Sequence, residues 1–211
     1  MNPMLDRIKQ MGIIPVVVLE NEKNSLPLAK ALIEGGLPCA EVTFRTKAAA
    51  KSIALMTQEY PDMLVGAGTV LNIKQVDEAV AAGAKFIVSP GFNPKVVDYC
   101  NKNEIPMLPG CITPSEVEQA IEHGLKAVKF FPAEAAGGLA MIKAMSAPYT
   151  NMMFMPTGGI NIDNVKEYLA FSKILACGGS WMVKEDLIEK QDFDTIKRLT
   201  EEAVSIVNQF R

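Results

Sequence analysis

Eight short apolar runs recur along the chain: IIPVVVL, CAEVTF, LVGAGTV, FIVSPG, PMLPGC, AVKFFPA, MMFMPTGG and ILACGGS. Each is rich in apolar and β-branched residues and four to eight positions long, the signature of a buried strand. Between them lie stretches with helical periodicity, among them SLPLAKALIEGG, AAAKSIALMTQEY, IKQVDEAVAAGA, KVVDYCNKN, PSEVEQAIEHG, LAMIKAMSA and IDNVKEYLA, and DTIKRLTEEAVSIVNQF follows the last run. The order is β then α throughout. Near-continuous apolar strands belong to a parallel sheet covered on both faces, and eight βα units in a chain of 211 residues predict an α/β fold of the (β/α)₈ TIM-barrel kind. No linker, low-complexity tract or charge block divides the sequence, so a single domain over residues 1–211 is expected. The stretch up to Gly12 is expected to form an extra N-terminal helix at the bottom or rim of the barrel.

The strand ends change this picture from architecture to chemistry. After apolar starts they finish in GAGT at 66–69, SPG at 89–91, PG at 109–110, PTGG at 156–159 and CGGS at 177–180. One such end is explained by a tight turn that needs glycine. A whole series of them at the C-terminal ends of successive strands falls where a barrel builds its active site, and glycine there lets the backbone approach a ligand closely.

Side-chain alternation then sorts the polar residues. In CAEVTF and the residue after it, Glu41, Thr43 and Arg45 share one face while Ala40, Val42 and Phe44 share the other. The apolar set belongs against helices, which turns Glu41 into the barrel. In AVKFF the same parity turns Lys129 inward with Ala127 and Phe131. Lys126 falls before this strand and is expected to face solvent.

An ammonium in the interior is costly unless it has a partner or gives up its proton. A structural Lys129–Glu41 ion pair and a lysine used as a nucleophile are equally good accounts of these two residues alone. Arg45, Thr69 and the glycines ending the seventh and eighth runs tip the balance. Backbone N–H groups at those two strand ends are where barrels often bind phosphate. A phosphate site beside an interior lysine describes a sugar-phosphate enzyme that works through an imine.

Composition narrows the rest. With 49% hydrophobic and 21% charged residues the chain is an ordinary globular one, and a formal net charge of -3 supplies no basic footprint for nucleic acid. No apolar run suggests a membrane span, and the N-terminus does not read as a signal peptide, so a cytoplasmic protein is expected. The four cysteines are spaced singly and read as small buried hydrophobes, not as a disulfide framework or metal site. The single histidine, His123, precedes Gly124 and reads as a helix end. One histidine is too few for a Ser/His or Cys/His dyad with a metal centre besides, so neither metal nor cofactor is expected and the chemistry falls to Lys, Glu, Arg and hydroxyls.

EVTFRT, VGAGTVLN, SPG, KFFPAE, PTGGI and GGSW, in this order, resemble the 2-dehydro-3-deoxy-6-phosphogluconate aldolase (KDPG/KHG aldolase) family. The resemblance runs from the first strand to the helix after the eighth. It implies a homotrimeric, metal-independent class I aldolase that releases pyruvate and glyceraldehyde 3-phosphate, and in many members also cleaves 4-hydroxy-2-oxoglutarate. It further implies that Lys129 is the Schiff-base lysine and Glu41 the general acid/base, that Arg45 and Thr69 hold the pyruvoyl carboxylate, and that Pro90 and Phe131 line the pocket. Gly158, Gly159 and Ser180 correspond to phosphate-binding positions, with Thr157 beside the bound keto acid. GCITPSE and AEAAGG depart modestly from the family pattern, which bears on substrate preference. The alternatives are an aldolase for the galactonate epimer, a phosphosugar isomerase or synthase in which Lys129 is only an ion-pair partner, and a non-catalytic barrel that senses a phosphorylated metabolite.

Overall fold

Capping chemistry written into the sequence starts several of the helices. In the computed structural model, which describes residues 3–211, the side chain of Asn72 accepts from the Gln75 amide at 3.0 Å to open α4 (Ile73–Ala81). Asn93 does the same for α5 (Pro94–Lys102), with proline at the first helical position. Thr113 and Glu116 close a reciprocal capping box around the start of α6 (Pro114–Glu122). Each arrangement satisfies amides that would otherwise lack a partner in the first turn. His123 caps the other end of α6, as its position before Gly124 predicts.

The remaining elements follow the expected alternation. They are α1 (Pro3–Met11), β1 (Ile13–Val17), α2 (Ser25–Glu34), β2 (Cys39–Thr43), α3 (Ala49–Glu59), β3 (Leu64–Gly68), β4 (Ile87–Val88), β5 (Met107–Leu108), β6 (Ala127–Phe130), α7 (Gly138–Ser146), β7 (Met153–Pro156), α8 (Val165–Leu169), β8 (Cys177–Gly179), α9 (Glu185–Glu189) and α10 (Phe193–Val207). The anticipated N-terminal helix is α1; Met1 and Asn2 lie outside the described residues.

Six strands form one curled parallel sheet in the order β5-β4-β3-β2-β1-β8, and β6 pairs with β7. Single bridges join the two sets: Gly110 with Lys129 on one side, Phe154 with Ile174 and Thr157 with Gly178 on the other. Around Lys129 this means an amide donating to Pro109 O at 2.9 Å and a carbonyl accepting from Cys111 N at 2.8 Å. The backbone of the candidate nucleophile is thereby tied by both its amide and its carbonyl to the segment around Gly110.

Every residue of β2, β3 and β6 is buried, as a parallel sheet covered on both faces requires. Phe86, Phe130 and Phe154 are the largest fully buried side chains. Among the described residues no helix is long and apolar enough to cross a membrane.

Candidate active site

Glu41 on β2 is fully buried and Lys129 on β6 is 5% exposed. Their side chains meet with Lys129 Nζ 3.2 Å from Glu41 Oε1, across 88 positions of sequence. The alternation that turned both residues inward is correct. Thr43, on the same face, donates its hydroxyl to Val17 O at 3.0 Å and is used up by the backbone.

Room for Glu41 comes from the neighbouring strand. A Cβ on Gly68 would fall 2.7 Å from Glu41 Cγ and 2.8 Å from Cδ, so only glycine there lets the carboxylate occupy its position. The next residue, Thr69, ends β3 with φ 55°, a left-handed conformation that is uncommon for a β-branched residue. Lys129 Nζ also lies 5.4 Å from the centroid of the Phe131 ring. Two buried polar atoms here have no protein partner, Glu41 Oε2 and Thr157 Oγ1. Buried oxygens are nearly always hydrogen-bonded, and two without a protein partner at the same end of the sheet are what a ligand-binding site offers.

Phe131 and Thr157 also belong to the wall of a cavity of about 430 Å³ at the C-terminal strand ends, shared with Arg45, Gly158, Gly159 and Ser180. Gly158 and Gly159 have φ 100° and 80°, which turns this stretch of backbone in a way other residues resist. The loop after β6 is laced to them: Ala133 N donates to Thr157 O at 2.8 Å and Glu134 N to Gly158 O at 3.1 Å. Six of the sequence-selected residues thus share one wall, and Lys129 and Glu41 meet beside it. Thr69 and Pro90 stand at the ends of neighbouring strands outside that wall, each half-buried.

The sequence reading missed part of this cavity. Val183, Lys184, Glu185 and Asp186 close it from the segment leading into α9. A five-residue helix carries too few turns to declare itself by periodicity, and only the charged run KED, three residues beyond the GGS strand end, could have drawn notice. Lys126 is exposed, as expected.

A primary amine, a carboxylate within hydrogen-bonding reach and a cavity with a guanidinium and glycine backbone in its wall are the equipment for attacking a carbonyl on an anionic small molecule. Residues 4–199 match the family model for KDPG and KHG aldolase. The 2-dehydro-3-deoxy-phosphogluconate aldolase of Treponema pallidum is 49% identical over 204 residues, 97% of each chain. A KDPG aldolase from Legionella pneumophila, crystallised with pyruvate captured at low pH as a covalent carbinolamine intermediate, superposes with TM-score 0.92 at 40% identity, covering 95% of this chain and 97% of that one. A 2-keto-3-deoxy-6-phosphogluconate aldolase of Zymomonas mobilis, solved with 3-phosphoglycerate, gives TM-score 0.90 at 38% identity over 98% of this chain and 96% of that one. The chain belongs to the KDPG and KHG aldolase family.

Proposed function

We propose that this chain is a class I aldolase that cleaves 2-dehydro-3-deoxy-6-phosphogluconate to pyruvate and glyceraldehyde 3-phosphate, and 4-hydroxy-2-oxoglutarate to pyruvate and glyoxylate. The observation that carries the reading is the buried contact of Lys129 with Glu41 at 3.2 Å, with the second carboxylate oxygen left free of protein partners. The carbinolamine in the Legionella relative supports the same chemistry.

Attack on the C2 ketone requires the Lys129 amine without its proton. The addition gives a carbinolamine, which loses water to a protonated imine. That imine draws in the electrons of the C3–C4 bond while Glu41, through a water, takes the proton of the C4 hydroxyl. The aldehyde leaves and an enamine remains. Protonation at C3 and hydrolysis release pyruvate and restore the amine. Because the imine is the electron sink, the route needs no metal or organic cofactor.

In this reading Arg45 and Thr69 hold the keto-acid carboxylate, Thr157 lies beside it, Pro90 and Phe131 line the pocket, and Gly158, Gly159 and Ser180 receive the phosphate. The finer architecture belongs to the same proposal: one domain over residues 1–211, with the strands closed as a (β/α)₈ barrel. The bridges at Gly110, Ile174 and Thr157 support that closure. The assignment to a cytoplasmic homotrimer belongs to this proposal too; Leu71, Ile73 and Val80 offer exposed apolar side chains that a subunit contact would cover.

The test is pyruvate release from the gluconate-derived substrate, its galactonate epimer and 4-hydroxy-2-oxoglutarate side by side, with and without chelator. The gluconate-derived compound is expected to give the highest kcat/KM, unchanged by chelation. A folded protein that cleaves none of the three would overturn the reading.

A further inference from the structure

The wall of glycines after β7 is held by a contact that the cleavage chemistry does not use. Tyr168 on α8 is 2% exposed, and its hydroxyl donates to Glu134 Oε1 on the loop after β6. Burial, and after it this hydrogen bond to a carboxylate, push the phenol above its ordinary range, so the proton stays on the tyrosine. Glu134 in turn lies against Gly159: a Cβ there would fall 2.7 Å from Glu134 Cβ and 2.5 Å from Cγ. Its amide donates to Gly158 O at 3.1 Å. From the opposite side Asn164 Nδ2 donates to Gly159 O at 3.0 Å. Asn164 and Tyr168 stand four residues apart at the start and on the body of α8, and so on one helix face.

A carboxylate packed against the glycines of a phosphate site is electrostatically unhelpful to a phosphate. A bare carboxylate free to rotate toward the ligand would repel it. Tied to Tyr168, the carboxyl group is held in one direction while its stem supports the backbone. We propose that Glu134 and Tyr168 form a strut whose role is to position Gly158 and Gly159, and that this strut sets the preference for phosphorylated over unphosphorylated keto acids. The proposal rests on the aldolase reading above. Neither residue touches the reacting atoms; both are positioning residues.

The experiment compares Tyr168→Phe, Glu134→Ala and Glu134→Gln with the unmodified protein on 2-dehydro-3-deoxy-6-phosphogluconate and on 4-hydroxy-2-oxoglutarate, with Tm recorded for each. Loss of one such hydrogen bond to a carboxylate corresponds to a change of about 10- to 100-fold. Tyr168→Phe and Glu134→Ala are expected to raise KM for the phosphorylated substrate by that factor, leaving its kcat and both constants for 4-hydroxy-2-oxoglutarate in place. Glu134→Gln, whose amide oxygen still accepts from Tyr168, is expected to keep the KM of the unmodified protein. Equal losses on both substrates, or unchanged KM in Tyr168→Phe, would overturn the strut. If Tyr168→Phe does not fold, the contrast of Glu134→Ala with Glu134→Gln decides in the same way. Failure of the unmodified protein to cleave either substrate is a different result, and it removes the aldolase reading and the strut together.

Discussion

Strand β6 and the residue just before it carry two lysines in opposite settings. Lys126 stands before it, exposed, in the wall of a cavity of about 350 Å³ with Leu5, Glu104 and Met107. Lys129, three residues on, is 5% exposed with Glu41 at 3.2 Å. The end of the sheet where strands enter also buries ionisable groups, but differently. Cys39 and Cys177 open β2 and β8 fully buried, and burial drives both thiols far above their usual range against the weaker pull of Arg7 and Arg211. Cys39 keeps its proton in a 3.4 Å contact to Ile13 O. At the entering end a buried acid therefore stays neutral, and at the leaving end a buried base and a buried acid stand together. Such a pair is a poor source of stability once desolvation is counted. Its presence at the end that carries the cavity is better explained by chemistry than by folding.

The sharpest way to break this contrast is to exchange the fates of the two lysines. With pyruvate and borohydride, the unmodified protein and Lys126→Met should both gain a stable adduct on the peptide containing Lys129. Lys129→Met should gain none and lose kcat by a factor on the order of 10⁴–10⁶, the scale seen when a nucleophile is removed. Peptide mapping by mass spectrometry reads the result, and an adduct on Lys126 would reverse the comparison.

Next in size is Glu41→Gln. If the carboxylate were only a counter-charge, its loss would strand a buried ammonium at a cost of about 3–5 kcal/mol and show as a fall in Tm. As the acid/base it should leave a folded protein that borohydride still traps with pyruvate. Cleavage, and exchange of the pyruvate methyl protons with solvent, should then slow by about 10²–10⁴-fold. Normal exchange by NMR in a well-folded variant would take Glu41 out of the mechanism.

How these residues were legible in sequence, and others were not, follows from the same geometry. Period-two alternation turned Glu41 and Lys129 inward without knowledge of their contact, because a strand permits only two faces. The runs FIVSPG and PMLPGC were readable as strands but not in length, since β4 and β5 keep only two residues each in the ladder. Pro90 and Pro109 have no amide to donate, and the Ser89 hydroxyl turns back to Gly91 O at 2.7 Å, so the regular ladder is interrupted early. Glu134 stands in KFFPAE and Tyr168 in a helical stretch, but nothing in either pattern pairs them: their contact joins a loop to a helix 34 positions away.

A gentler perturbation of the leaving end is Gly68→Ala. The added methyl would press on Glu41 Cγ at 2.7 Å, and a catalytic group displaced by about 1 Å loses up to roughly 10²-fold in rate. The expected result is kcat reduced by about 10- to 100-fold with the pyruvate adduct on Lys129 retained. Steady-state kinetics beside borohydride trapping separates this from loss of the nucleophile. Unchanged kcat would mean that the position of Glu41 is less constrained than its packing against Gly68 requires.

The smallest effect tests the buried thiols as a set, including two outside the entering end, Cys100 on α5 and Cys111 after β5. Burial raises Cys100 to about 11, and burial with the nearby Glu116 charge raises Cys111 to about 12, from a reference value of 9.0. These are acids whose folded-state values are raised, so above the unfolded value the native state holds protons that the unfolded chain has released. Their contribution to stability is complete below pH about 9 and is lost as pH climbs toward about 12. Tm should therefore decline across that alkaline window, each kcal/mol of lost stability moving it by about 2–4 °C in a domain of this size. In parallel, the ultraviolet absorbance of thiolates should stay low in the native protein at pH about 9.5, where unfolded thiols are largely ionised, and rise on addition of denaturant. Full thiolate absorbance in the folded protein at that pH would show the thiols to be wet. Cys39 and Cys177 would then be ionised with the other two, and the contrast between a neutral entering end and the Lys129–Glu41 pair at the leaving end would fall.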